Sequence, residues 1–475
     1  MLSIRSLLAA GVIFAAAAMP AHSASTRSTS TQAAPADQQL ALDVYKELVE
    51  INTSQSVGDT YAAAKAMAAR LKSAGFPDAD VQTFETAPKR GNLVARIHGT
   101  GKRKPILLLA HIDVVEAKRE DWSTDPFKLV EQDGYYSGRG TGDDKFMAAS
   151  FISAFVRYRK EGYKPDRDII LALTTDEEIS DRHGYGIKDL IKNHRALIDA
   201  EFAINEGGGV ALQDGKPRSV GLQTTEKLYQ SFWLEVTGNG GHSSQPSKEN
   251  IVTQLSEGLV KLGRFEFPVR LNDTTRAYFN TMSTLVTGPD SADMKAVSGA
   301  TPDVAAVTRL STRPAYNAQF RTTCVVTRLE GGHADNALPQ LARAMVNCRI
   351  VPGETVPDVQ AMLVKAVADP GIRVSTDALD TPSEPSPLSK EVTSAIQKLS
   401  ANFWPGAPLL PVMLAGATDS RFLRNAGIPS YGHSGLASDM FDNRAHGKDE
   451  RVGVKAFQDG NEYLYQLVKL LSGGR

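Results

Sequence analysis

PILLLAHIDVV (105–115) and DIILALTTDEEISD (168–181) each run from apolar residues straight into polar ones, His111 and Asp113 in the first and three consecutive carboxylates in the second. Apolar residues at every position, rather than at every second one, describe strands covered on both faces, as in parallel sheets flanked by helices. NLVARIHG (92–99) and EFAIN (201–205) have the same character, and helix-like stretches at 145–161 and 184–194 separate the later strands. Upstream, Leu42, Tyr45, Leu48 and Val49 recur at helical spacing, and an Ala-rich helix over 61–74 ends at Gly75. The pattern predicts an α/β fold, a mostly parallel sheet with helices on both faces.

Near Glu226 the rhythm changes. YQSFWLEVTG (229–238) alternates like a half-exposed strand and NIVTQLSEGLVKLG (250–263) reads as an amphipathic helix. ARAMVNCRIVPG (342–353) and TVPDVQAMLVKAVA (355–368) then repeat strand and helix. Two such units in succession predict a smaller α+β domain over 226–380, inserted into a main domain made of 37–225 and 381–475. The stretch 268–323, rich in Thr, Ala and Pro, shows no clear periodicity. The main domain resumes at TPSEPSP (381–387), followed by a helix at LSKEVTSAIQKL.

The 475 residues, 41% hydrophobic and 23% charged, exclude disorder as the main state and suit two or three domains. A net charge of −1 leaves no basic excess to neutralise a phosphate backbone, so nucleic acid is not an expected partner. Two cysteines, Cys324 and Cys348, are too few for a thiolate zinc site; whether they pair is left open. Residues 1–24 read as a signal peptide: Arg5, an apolar run from Leu7, and small residues for cleavage around Ala21 to Ser25. That run is shorter than the roughly 20 residues that span a bilayer. A periplasmic or secreted mature chain without stable membrane insertion is therefore expected, after a disordered lead-in over 25–36.

The chemistry-bearing residues fall at strand ends, where open α/β sheets place ligands. His111 and Asp113, two apart, point to the same side; a strand-capping pair has the same spacing. GYYSGRGTGDDKFMAA (134–149) puts Asp143, Asp144 and Lys145 at a helix start, where acids also complement the helix dipole. Its glycines lack the G-x-G-x-x-G spacing of a dinucleotide site. Asp176, Glu177 and Glu178 repel one another at the edge of a buried sheet, which a dication relieves; a solvated acidic loop is the alternative. Glu206 precedes three glycines, and His446 lies near the C-terminus. Together these form a nitrogen and oxygen ligand set suited to zinc, with cobalt or manganese as substitutes. Five ligands exceed the needs of one tetrahedral ion, and two ions sharing a carboxylate would use them all.

From about 38 to 470, with its motifs in order, the sequence resembles the dinuclear zinc hydrolases that include acetylornithine deacetylase, succinyl-diaminopimelate desuccinylase, aminoacylase, carnosinase and carboxypeptidases G and S. The resemblance implies two zinc ions per subunit. His111 would bind one, Asp143 rather than Asp144 would bridge both, Glu178 and Glu206 would each bind one, and His446 would bind the other. Asp113 would orient His111, and Glu177 would be the general base. GNGGHSSQP (238–246) resembles the family's lid motif, which implies that His242 reaches across a homodimer to polarise the scissile carbonyl. GGHADNALP, NCRIVPGE and GATDSRFL resemble family segments that contact the substrate, which implies that role for Asn336, Arg349 and Arg421; a structural role for each is the alternative.

Phe146 stands where many members have Gly. His98, His183, His194, His333 and His433 match no family ligand. RTTCVVTRLEGG and the Glu206 segment resemble the carboxypeptidase S group and its secreted N-acyl amino acid hydrolase relatives. The implied activity is cleavage of an amide bond next to a C-terminal amino acid, with peptides or N-acyl amino acids as substrates. A dipeptidase or aminopeptidase of the same fold is the alternative. From other classes, an inactive binding protein would be expected to have lost part of the ligand set, and a serine hydrolase would carry a G-x-S-x-G elbow, which GHSSQP lacks.

Overall fold

The computed structural model describes residues 31–179, 186–246, 248–377 and 379–474. The signal peptide over 1–24, the first part of the lead-in and His183 lie outside the described residues.

Strands Ile106–His111 and Ile169–Thr174 are buried along their whole length. Their side chains alternate between two cores. Ile106, Leu108 and Ala110, with Ile169, Leu171 and Leu173, pack beneath helices Pro35–Glu50, Lys145–Glu161, Lys390–Phe403 and Val454–Ser472. Leu107 and Leu109, with Ile170 and Ala172, meet Ile187 and Leu190 of helix Gly186–Asn193 and Leu423 of helix Ser420–Asn425. Helices thus cover both faces, as the uninterrupted apolar runs require.

The large sheet has ten strands. Its order is Val81–Ala87, Arg90–Ile97, Ile169–Thr174, Ile106–His111, Phe202–Asn205, Ser430–Gly432, Lys216–Glu226, Val210–Gln213 and Ala437–Asp439, with Leu409–Leu414 beside Lys216–Glu226. The centre is parallel: Ile106–His111 runs with both neighbours, and Ser430–Gly432 with Phe202–Asn205. NLVARIHG, read above as one of the parallel strands, instead runs antiparallel to Ile169–Thr174 and forms a hairpin with Val81–Ala87. The connection over 98–105 is shorter than the dozen or so residues of a helical crossover, so the chain reverses there.

A second sheet has the order Thr323–Gly331, Leu341–Ile350, Leu228–Thr237, Arg373–Ser375. Leu228, Phe232, Leu234 and Val236 face its core, under helices Ile251–Arg264 and Val356–Val367. Asn250 and Thr355 cap these helices through side-chain bonds to the first-turn amides. Cys324 lies opposite Cys348 on adjacent strands, and the two form a disulfide.

The stretch 268–323, which showed no periodicity, contains four short helices: Asp273–Leu285, Pro289–Val297, Val304–Ser311 and Pro314–Phe320. Phe279, Met294, Val297, Ala306, Leu310 and Phe320 close a small core of their own. Pro289 and Pro314 stand in first turns, where a missing N–H costs nothing, so here proline starts helices rather than marking loops. Beyond the second sheet, Ser386 returns the chain to the large one: its N–H donates to Thr224 O (2.8 Å) and its hydroxyl to Ser430 O (2.8 Å).

Candidate metal centre

Three strand ends and one helix start converge. His111 ends its strand, Glu177 and Glu178 follow Ile169–Thr174, Glu206 follows Phe202–Asn205, and Asp143 precedes helix Lys145–Glu161. His446 arrives from residues near the C-terminus, on a segment whose Gly447 carbonyl accepts from Arg139 Nη2 (2.9 Å). His111 Nδ1 donates to the Asp113 carbonyl (3.0 Å), which leaves Nε2 directed at Asp143 Oδ1 (3.0 Å) and Glu206 Oε1 (3.9 Å). His446 Nε2 lies between Asp143 Oδ2 (3.2 Å) and Glu178 Oε1 (2.9 Å).

Two donor sets therefore share Asp143. His111, Asp143 and Glu206 form one, and Asp143, Glu178 and His446 the other, each with its donor atoms within 4.8 Å of one another. A third grouping joins His111, Glu177 and Glu178. Asp143 touches both imidazoles, whereas Asp144 is buried, with one carboxylate oxygen lacking a hydrogen-bond partner among the described residues.

The electrostatics fit a bound cation pair. Burial pushes Glu177 well up, reinforced by the charge of Glu206; burial likewise raises Glu206, against the pull of His111. Burial would raise Asp143 too, yet its bonds to both histidines hold it below the ordinary carboxylate range. His446 is raised to about 10 by its bonds to Asp143 and Glu178. Burial would lower His111, but Asp113, Asp143 and Glu206 outweigh it and raise it well above its usual value. With Nδ1 committed to a carbonyl, a neutral His111 would point an Nε2 lone pair at a carboxylate. A proton or a dication must separate them, and a dication does so for every carboxylate at once.

The Asp113 carboxylate is 3.6 Å from His111 Nδ1, and its closer partners are the amides of Glu177 (3.2 Å) and Glu178 (2.9 Å). Its backbone carbonyl orients the ring, while its side chain holds the acidic loop. Two buried acids that sequence reasoning missed complete the frame. Glu450 accepts from Gly140 N (3.0 Å), Gly142 N (2.7 Å), Asp143 N (3.2 Å) and Arg139 Nη1 (2.7 Å), framing the glycine turn that presents Asp143. Asp419 accepts from Thr174 Oγ1 (2.8 Å) and is raised to about 7 by burial.

A cleft of about 330 Å³ adjoins the centre, lined among others by Glu177, Tyr229, Arg349, Asp419, Arg421 and Phe422. The Arg349 guanidinium lies 4.7 Å from the Tyr229 ring and forms no ion pair among the described residues. Arg421 is 3.7 Å from Asp380 Oδ1 and 4.4 Å from the Phe422 ring. His242 and Asn336 are not brought to this cleft. They lie at the exposed ribbon of Gly241–His242 and Ala337–Leu338, where His242 Nδ1 accepts from Ser244 N (3.1 Å) and Asn336 O from Ser243 N (3.0 Å).

The unassigned histidines lie elsewhere. His433 is buried between Gly221 O and the Tyr463 hydroxyl, both at 2.8 Å. His98 bonds Asp80, His194 packs on the Phe84 ring, and His333 is exposed. Phe146 packs edge-on against Phe457 in the main core.

Residues 107–470 match peptidase family M20/M25/M40. The chain is 31% identical over 376 residues to N-fatty-acyl-amino acid synthase/hydrolase PM20D1 of Xenopus tropicalis, covering 77% of this chain and 72% of that protein. It is 29% identical over 377 residues to probable carboxypeptidase S-like 2 of Dictyostelium discoideum, covering 77% and 71%. Among solved structures, the M20 family metallo-carboxypeptidase Sso-CP2 of Sulfolobus solfataricus shares the fold, with a TM-score of 0.69 at 18% identity over 91% of this chain and 99% of that one. The protein belongs to peptidase family M20/M25/M40 and is a hydrolytic enzyme.

Proposed function

We propose that the protein is a secreted or periplasmic two-zinc hydrolase that cleaves the amide bond next to a C-terminal amino acid, in N-acyl amino acids or short peptides. The observation that carries this reading is the pair of donor sets sharing Asp143, opening on a cleft where Arg349 has no carboxylate partner among the described residues. His111, Asp143 and Glu206 would hold one ion, and Asp143, Glu178 and His446 the other. Bound there, zinc-class ions supply Lewis acidity that polarises the amide carbonyl and acidifies water. Glu177 takes the proton of the attacking water on its carboxylate and delivers it to the leaving amine. Arg349, with Arg421 beside it, grips the free α-carboxylate.

Residues 226–380 act as a lid and dimerisation domain. Through it His242, with Asn336 nearby, reaches the cleft of a partner subunit and steadies the developing oxyanion. The export reading is supported by the sequence of residues 1–24 and by the Cys324–Cys348 disulfide, a bond typical of oxidising compartments. Among the described residues no helix is long and apolar enough to cross a membrane.

Substrates with free and amidated C-termini test the specificity. Amidation leaves Arg349 unpaired in a closing site, so kcat/KM falls at least about tenfold, consistent with a charge-assisted contact. Arg349→Ala removes most of that difference. Equal turnover of both forms, with a requirement for a free N-terminal amine, would overturn the carboxypeptidase reading in favour of an aminopeptidase or dipeptidase.

A further inference from the structure

Strand Lys216–Glu226 ends where the chain leaves the large sheet for the small one, and its last residue is a carboxylate only 2% exposed. A buried carboxylate is costly unless its lone pairs are filled. Glu226 accepts from Gln223 Nε2 (2.8 Å), Thr418 Oγ1 (2.7 Å) and Thr418 N (3.3 Å), and pairs with Arg424 Nη2 (2.9 Å). Thr418 and Arg424 bracket the segment that carries Asp419 and Arg421 into the cleft.

The same polar chain continues to the strand ends beneath the metal centre. Thr418 Oγ1 accepts from Ser420 N (3.1 Å), and Ser420 Oγ accepts from Asn205 Nδ2 (2.9 Å), the residue before Glu206. Asp419 is tied to Thr174, which ends the strand leading to Glu177. On the other side of the crossing, Lys227 is buried and donates to Arg321 O (2.7 Å), and the next side chain but one, Tyr229, lies against Arg349. Packing alone gives no reason for an ionised group here, since apolar residues of similar volume often replace buried ion pairs without loss.

We propose that Glu226 is a positioning residue for substrate recognition. Through Thr418 it sets the 417–421 segment, and so Asp419 and Arg421, in the register that faces Arg349 when the cleft closes on substrate. The assignment rests on the amide-hydrolase reading above.

The test uses the metal-loaded full chain and the variants Glu226→Gln, Thr418→Val and Thr418→Ser. Hydrogen–deuterium exchange over 417–421 needs no substrate, and kcat and KM are measured separately on the best-cleaved member of the free and amidated panel. Glu226→Gln and Thr418→Val are expected to speed exchange and raise KM at least about tenfold, with kcat within about threefold and metal content unchanged; Thr418→Ser restores KM. Exchange and KM like the wild type would overturn the proposal. So would a fall in kcat accompanied by metal loss with KM intact, which marks a purely structural role. If the wild type cleaves no amide, the functional reading fails, and unchanged exchange would separately show that Glu226 does not hold the segment.

Discussion

Glu177 and Glu178 are adjacent in sequence, and the amides of both are pinned by one carboxylate, that of Asp113. Both side chains line the cleft, but their partners differ: Glu178 reaches His446 and belongs to a donor set that shares Asp143, whereas Glu177 belongs to neither of those sets. Their variants should therefore separate. Glu177→Gln keeps its metal and loses about 100-fold to 10,000-fold in kcat, the scale of a general base, whereas Glu178→Gln weakens metal binding. Metal analysis alongside kinetics checks this, and a fully active Glu177→Gln would reassign the base. His111, Asp143, Glu178, Glu206 and His446 could be picked out because they stand at strand ends, at a helix start or in a family motif. Glu450 could not be read in the same way. Its partners Gly140 and Gly142 lie 310 and 308 residues away in sequence, and a lone buried acid leaves no local pattern. Asp419 lies within GATDSRFL, but it is Thr174, 245 residues away, that gives it a place beside Glu177.

Elements with one strong period were legible, and those built from caps and prolines were not. The apolar runs 105–112 and 168–175 left only a doubly covered strand as their reading. The four helices within 268–323 are each held by a local device, such as the Asn272 capping box or the Asp303 side chain, and bury only a few residues apiece. With so few buried positions to mark a stripe, they become visible only once Phe279 and Phe320 stack at 4.6 Å. Strand Ser430–Gly432 carries a further consequence through His433, which follows it. Burial lowers that imidazole to about 4, and its contacts require a neutral ring, with Nδ1 donating to Gly221 O and Nε2 accepting from Tyr463. In the unfolded chain the group titrates near 6.5, so below that pH the unfolded state binds more protons. Stability should thus be lost as pH falls from about 6.5 to about 4, by on the order of 3 kcal/mol from this residue. Thermal unfolding across that range checks it. A non-titrating His433→Gln variant, less stable at neutral pH, should show a correspondingly flatter pH dependence, and an unchanged slope would assign the acid sensitivity elsewhere.

At the scale of the molecule, strand ends of the large sheet, the start of helix Lys145–Glu161 and the segment carrying His446 supply the donor cluster and the small sheet supplies Arg349, while His242 and Asn336 stay at an exposed ribbon outside the cleft. If His242 serves a partner's cleft, mixing His242→Ala subunits with Glu177→Gln subunits should restore part of the activity, because one composite site then carries both native groups. Fully active strict monomers at working concentration would rule that arrangement out. If two cations share Asp143, metal analysis of the purified, active mature protein will find both. About two zinc-class ions per chain, removed together with activity by a chelator and restored together on their return, is the predicted result. Full activity in protein that contains no transition metal would contradict it.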